Sequence, residues 1–280
     1  YEMIQEILKF ISKYKKIFFV GFNSINFDEE FLRQALWENF VFPYITNSNG
    51  NNRGDVFNFV TMIHAFRESS VNVERNDEGK LTFKLESLAK ANYFDSKNAH
   101  DAIADVEVTM ELMKMLVEKN RDLYKQFIEN SATNTVLKKI KDYKVFTLHN
   151  YLFNSHRIYM VKYLINHPIY NSQVIGFDLK YDPSELIDLD YHELYQVYKN
   201  KSFFRKIKIN KQPTILDSNF AKKYQPYSDL SNEELNLKYK QLEDETFLKN
   251  IEKILEKEAQ EYQENKSQVQ PYEEETIYTK

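Results

Sequence analysis

The sequence contains no cysteine, which excludes a disulfide frame, a thiolate metal site and a cysteine nucleophile. Glycine (5) and proline (6) are scarce, so few turns are forced by backbone chemistry alone. No apolar run approaches the ~20 residues that a membrane helix needs. No leader pattern of basic start, apolar stretch and small-residue cleavage site is present either. The expectation is a soluble, cytoplasmic protein with no membrane association. Positive charge is also lacking: 38 Lys and Arg face 42 Asp and Glu, a net charge of −4. A polyanionic partner would therefore have to be met by locally concentrated basic groups. What is abundant is apolar and aromatic material, with 20 Tyr and 21 Phe, enough for real cores and incompatible with global disorder.

Three textures follow one another. After an amphipathic helix marked by Ile4, Ile7, Leu8 and Ile11, the run Ile17-Phe-Phe-Val-Gly-Phe22 reads as a strand buried on both faces, as in a parallel sheet. A helical pattern follows through Phe31, Leu32, Ala35 and Leu36. Residues 46–55, rich in Asn, read as a solvated loop. Helices are expected over 56–66 and from Leu85. The strongest helical segment is 98–119, with Ile103, Val106, Met110, Met113 and Val117 as its apolar stripe. From about residue 142 short β-rich runs appear, at 144–148, 157–165, 173–179 and 203–209, a spacing that suggests a small antiparallel barrel or sandwich. Near residue 228 the texture becomes helical again. Ser231 and Glu234 form a capping box ahead of a charged helical stretch to about residue 262.

Two places could carry chemistry. In Asn98-Ala-His100-Asp101-Ala-Ile-Ala-Asp105, the two aspartates are four residues apart and share a helix face. Asp105 oxygens could hold a hard divalent cation while the His100 imidazole takes a proton from water. A helix start, whose dipole favours acidic residues, accounts for the same residues more simply. Asp28 sits where the apolar strand hands over to a helix, a place where α/β proteins put functional groups. An N-cap role explains it equally well.

Together, Gly21-Phe-Asn-Ser-Ile-Asn-Phe-Asp28-Glu-Glu30 and Asn98-Ala-His100-Asp-Ala-Ile-Ala-Asp105-Val106 resemble the second and third motifs of DEDD-type 3′→5′ exonucleases with a His in the last motif. Asn52-Arg-Gly-Asp55, Asn76-Asp-Glu-Gly79 and Phe83-Lys-Leu-Glu-Ser-Leu-Ala-Lys-Ala-Asn92 narrow the resemblance to bacterial exodeoxyribonuclease I. Farther on, Val174-Ile-Gly-Phe-Asp-Leu179, Asp182-Pro-Ser-Glu-Leu-Ile187 and Lys206-Ile-Lys-Ile-Asn-Lys-Gln-Pro213 are similar to that family's SH3-like β domain. The resemblance implies an α/β fold in three parts. A partial RNase H-like exonuclease domain would span 1–130, a small SH3-like β domain 142–225, and the start of a helical domain 228–280. It also implies hydrolysis of single-stranded DNA from a free 3′ end to 5′-mononucleotides, as part of DNA repair. Two Mg²⁺ ions, with Mn²⁺ as an alternative, would bind between four carboxylates. Asp28 would be the third carboxylate, near the second metal. Asp105 would be the fourth, a direct ligand of the nucleophile-side metal, and His100 the general base. A monomer is expected, with single-strand DNA-binding protein as a further partner.

The sequence departs from the family at the first motif. A D-x-E on an opening strand does not occur in a suitable context, and both ends of the chain look cut. The expectation is that residues 1–280 alone are inactive or very weak, with an apolar face uncovered on the strand at 17–22.

Weaker signals remain. Residues 199–211 hold six basic residues and no acidic one, with Lys206 and Lys208 on one strand face, suited to tracking a DNA backbone or simply solvated. Arg53, and His156-Arg157 in an expected loop, are similar candidates. Asn23, Asn26 and Phe27 flank Asp28, where polar and stacking groups could meet a terminal nucleotide. His64, His149, His167 and His192 lack metal-like spacing and read as structural. Two competing readings stay open: an RNA-trimming exonuclease of the same superfamily, and a non-catalytic single-strand-binding or interaction module.

Overall fold

The apolar run at 17–22 does form a strand, β1 (Phe18–Gly21), but with a partner that polarity concealed. The computed structural model describes residues 2–94, 102–200 and 202–267. These divide into two units: one holds the described residues up to Ala132 together with Asn150–Arg157, the other Thr133–His149 and the described residues from Ile158 onward.

In the first unit α1 (Glu2–Ile11) precedes β1, and α2 (Asp28–Glu38) follows it. Then come β2 (Asn52–Asp55), α3 (Val56–Phe66), α4 (Leu85–Ala91), α5 (Ala102–Lys119) and α6 (Arg121–Glu129). β1 and β2 are parallel, with Phe18 opposite Asn52 and Gly21 opposite Asp55. The Asn-rich loop expected to reach residue 55 therefore stops at 51. Arg53, Gly54 and Asp55 are buried, because tertiary pairing overrides the low strand propensity of Asn, Gly and Asp. The central element is α3, whose Val56, Phe59, Val60, Met62 and Ile63 are at most 1% exposed. Phe59 stacks on Phe127 of α6 with centroids 4.7 Å apart.

Two expectations for this unit are corrected. β1 is not buried on both faces: its residues are half-buried or exposed, and Val20 is 37% exposed. On α5 the buried side is Val108, Thr109, Leu112, Met113 and Leu116, while Ile103, Val106 and Met110 face outward. This helix is apolar on two sides, and the packing of α3 and α4 against it selects one of them.

The second unit begins with α7 (Thr133–Tyr143), followed by β3 (Val145–Leu152), β4 (Ser155–Asn166) and β5 (Gln173–Asp178). Next are α8 (Ser184–Ile187), α9 (Tyr191–Asn200), β6 (Phe204–Lys208), β7 (Thr214–Asp217), α10 (Ser218–Ala221), α11 (Asn232–Gln241) and α12 (Glu245–Ser267). The sheet has five strands in the order β6-β5-β4-β3-β7, antiparallel where register is defined, in agreement with the expected β domain. Both faces are covered. Phe146, Leu148, Val161, Val174 and Ile207 pack with Val136 and Ile140 of α7. Met160, Leu164, Ile175 and Phe177 pack on the opposite side with Leu194 and Tyr198 of α9 and Phe247, Ile251, Ile254 and Leu255 of α12. Gly176 is required between them, since a Cβ there would lie 2.2 Å from a Val161 methyl.

The capping box at Ser231 is present in both halves: its hydroxyl accepts from Glu234 N–H and the Glu234 carboxylate accepts from Ser231 N–H. The single helix expected after it is broken into α11 and α12. Nor do residues 228–267 stand apart as a helical domain, because the apolar stripe of α12 completes the core of the sheet.

Candidate functional site

The turn from β1 to α2 gathers four of the residues singled out in the sequence. A Cβ at Gly21 would meet the Ser24 Cβ at 2.6 Å, so glycine lets the chain fold back tightly. Asn23 then takes a left-handed conformation (φ 54°, ψ 23°), which Asn tolerates better than most residues. A 3₁₀ turn, Ser24–Asn26, drives Ile25 into the interior at 1% exposure. As a result Asn23, Asn26, Phe27 and Asp28 are all exposed. Phe27 lies edge-to-face on Phe31 with centroids 4.9 Å apart. Asp28 is the first residue of α2 and Phe27 occupies the cap position, without a side-chain cap. The N-cap explanation for Asp28 is thereby removed.

Beneath the turn lies Asp55, 1% exposed, at the end of β2. One carboxylate oxygen accepts from the N–H of Asn23 (2.7 Å) and of Phe57 (3.0 Å), the second capping α3. The other oxygen accepts from the N–H of Ile25 at 3.1 Å. Burial pushes the Asp55 carboxyl above its ordinary value, opposed by the three N–H groups and aided by the charge of Asp28. Sequence reasoning quoted Asp55 within a motif but gave it no role. An Asp directly before an apolar helical run was the available signal.

Asp105 is exposed in the first turn of α5, where its carbonyl accepts from the Thr109 hydroxyl at 2.7 Å. His100 and Asp101 lie outside the described residues. Asp28 and Asp105 are hard oxygen donors of the kind a divalent cation takes. Among the described residues, however, no three His, Cys, Asp or Glu side chains gather into a cation site. The described donors fall short of a complete ligand set, and no reaction step is derived through a metal.

Arg53 is corrected. Its guanidinium is 5% exposed and bonds Glu29 at 2.5 Å. The same Glu29 oxygen accepts from Arg33 (3.2 Å) and from the Thr46 hydroxyl (2.8 Å). Arg53 therefore joins β2 to α2 and is not presented to a strand of DNA. Burial pulls its guanidinium below the ordinary value, with Glu29 acting in the opposite direction.

The basic segment is corrected in part. Lys206 and Lys208 do share an exposed strand face, with Ile207 buried between them. Yet Lys206 bonds both oxygens of Glu258 at 2.5 and 2.6 Å, Lys199 bonds Glu261 at 2.8 Å, and Arg205 bonds Asp178 at 2.5 Å. Much of the positive charge is compensated locally by α12 and Asp178; Lys208 remains exposed. Arg157 is exposed too, within β4 rather than in a loop. The loop is the two-residue turn Phe153-Asn154, both at positive φ.

His64 is buried and pairs with His156. Nδ1 of His64 and Nε2 of His156 are 2.9 Å apart, between Phe83 and Tyr151. Burial lowers both, His156 to about 4, where the neighbouring His64 also contributes. Glu68 favours and Arg75 disfavours protonation of His64. Since both folded values lie below the unfolded one, the pair's stabilisation is full above about pH 6.5 and is lost as pH falls towards 4. The expected slope is up to about 1.4 kcal/mol per pH unit for each proton. Urea titrations at pH 7 and 5 should show this loss for the native chain and much less of it for His156→Phe.

The exonuclease I SH3-like domain family matches residues 144–269. Exodeoxyribonuclease I of Haemophilus influenzae is 37% identical over 122 residues, which is 43% of this chain and 26% of that protein. The Escherichia coli enzyme is 29% identical over 214 residues, 71% of this chain and 45% of its own length. A crystal structure of E. coli exonuclease I in complex with a dT13 oligonucleotide matches 86% of this chain and 56% of that one, with a TM-score of 0.71 and 25% identity. A structure of SSB/exonuclease I in complex with an inhibitor matches 86% of this chain and 55% of its own, at TM-score 0.70 and 25% identity. The chain thus covers less than half the length of these two curated relatives. The motif turn at Asp28, the five-stranded sheet and these likenesses agree: the chain is similar to bacterial exodeoxyribonuclease I, and its residues 144–269 match that enzyme's SH3-like domain family.

Proposed function

We propose that this chain supplies the second and third active-site motifs and the β domain of a 3′→5′ exonuclease that hydrolyses single-stranded DNA to 5′-mononucleotides. The observation that carries the reading is the turn at Asp28. A carboxylate not used in capping stands at the carboxyl end of a parallel strand pair, where α/β sheets place ligands. It is flanked by exposed amides and an exposed ring suited to a terminal nucleotide. In this reading Asp28 and Asp105 hold two divalent cations, Mg²⁺ in the first instance, together with a D-x-E motif from outside 1–280. When bound, such cations would supply charge stabilisation to a phosphodiester under attack, with Asp28 and Asp105 as the residues of this chain that would hold them. His100 is the general base. Asn23, Asn26 and Phe27 position the terminal nucleotide, and Arg157 in the first unit and Lys208 in the second are each candidate contacts for backbone phosphate. Single-strand DNA-binding protein is the proposed protein partner, on the strength of the SSB/exonuclease I structure. The β domain favours DNA over RNA trimming as the activity.

The test is Mg²⁺-dependent mononucleotide release from 3′-terminal single-stranded DNA. It compares residues 1–280, the same chain joined to an upstream segment bearing a D-x-E strand, and the joined chain with His100→Ala. Release by the joined chain alone, reduced roughly 10²- to 10⁴-fold by the substitution, is the expected result. A joined chain that binds the strand without cutting it would replace the enzyme by the binding-module reading.

A further inference from the structure

We infer that Asp55 is a positioning residue of the proposed nuclease site, an inference that rests on the function proposed above. Asp55 is buried and presents almost no surface from which to meet DNA. Its two oxygens instead fix the turn that carries every exposed candidate around Asp28. One ties Asn23 to the first turn of α3, the other ties Ile25. The turn needs such an anchor, because Asn23 is left-handed and the 3₁₀ segment is too short to hold itself. No neutral side chain of this shape accepts at both positions, so the three N–H groups themselves call for a carboxylate. A buried carboxylate beside the like charge of Asp28 is electrostatically unfavourable. Its presence has a further use if a cation binds at Asp28, since the second negative charge then becomes favourable. Asp55 would thus set the position of Asp28 and strengthen cation binding there without contacting the cation, as carboxylates behind metal ligands do elsewhere.

Asp55→Asn removes one of the three bonds and the charge together. The amide oxygen can keep the bonds to Asn23 and Phe57, while the amide nitrogen opposes the N–H of Ile25 and the charge is lost. The chain joined to the D-x-E segment is assayed as native, as Asp55→Asn, and as two core truncations far from the turn, Ile63→Val and Leu123→Ala, which bracket the variant's loss of Tm. The expected result is a fall in kcat of roughly 10- to 100-fold with KM for DNA nearly constant. The Mg²⁺ concentration for half-maximal rate should rise, and hydrogen exchange of the residue 25 amide in 1–280 should be faster. The truncations should leave kcat and Mg²⁺ dependence unchanged well below their Tm. If Asp55→Asn keeps the native kcat and Mg²⁺ dependence, or if the truncations lower kcat in step with Tm as it does, the positioning role is overturned while the nuclease reading stands. If the native joined chain releases no mononucleotides, the nuclease reading itself fails and this role with it.

Discussion

Asp28→Asn, in the chain joined to a D-x-E segment, is expected to lower kcat for mononucleotide release by roughly a thousandfold, about 4 kcal/mol of transition-state stabilisation. The residue is exposed, lies outside the packed core and is not the helix cap. Its replacement should therefore leave Tm within about 1 °C, consistent with surface substitutions altering stability by under 0.5 kcal/mol. Single-strand binding should persist, because phosphate contacts and stacking do not pass through Asp28. The combination is what identifies a catalytic group: rate lost, fold kept, DNA held. A variant that retains more than a tenth of the native rate under saturating Mg²⁺ would remove Asp28 from the metal site.

The largest loss of stability is expected at the residue next to it. Glu29 is 7% exposed and is shared by Arg33, Arg53 and Thr46 through one oxygen. Glu29→Ala leaves two guanidinium groups buried without that carboxylate, and breaking a buried ion pair in this way costs about 3–5 kcal/mol. Glu30, which bonds Arg33 at 3.0 Å, recovers only part of this. Denaturant unfolding of 1–280 would measure the loss as a lowered midpoint for the transition that includes α2. Replacing Glu29, Arg33 and Arg53 together by apolar residues of similar volume should be far milder, since no charge is then stranded. If the single and triple replacements are equally harmful, packing and not charge compensation holds α2 to β2.

These neighbours show where the sequence was legible. Asp28 read as the handover from strand to helix, and a helix does start there, with Asp28 as its first residue and not its cap. What the sequence could not show is which carboxylate points to solvent and which into a guanidinium pair; that is decided by β2, four residues of poor strand-forming type that pair with β1. The same strand hid Arg53 and Asp55, one offered as a DNA contact and the other given no role. On α5 two apolar stripes satisfy the same helical period, so periodicity alone had no means of choosing Leu112 over Met110. Patterns that are complete within a few residues were legible, among them the helix at Val56–Phe66 and the capping box of Ser231 and Glu234. The four main strands of the second unit were found within a few residues of their ends. β7 and α9 were not, being short or polar, with their apolar residues meaningful only against a sheet already formed.

The unequal sheets of the two units have a consequence in time. Two parallel strands of four residues make a ladder too small to be stable by itself. It persists because α3 and the carboxylates of Glu29 and Asp55 hold it. The five-stranded sheet is clad with helix on both faces, so its middle strands can open only when their whole unit does. Amide hydrogens of Ile175 and Phe177 should accordingly exchange on the slow clock of cooperative unfolding, and those of Val20 and Gly54 on a faster clock of local opening. The turn bearing Asp28 hangs from that faster ladder.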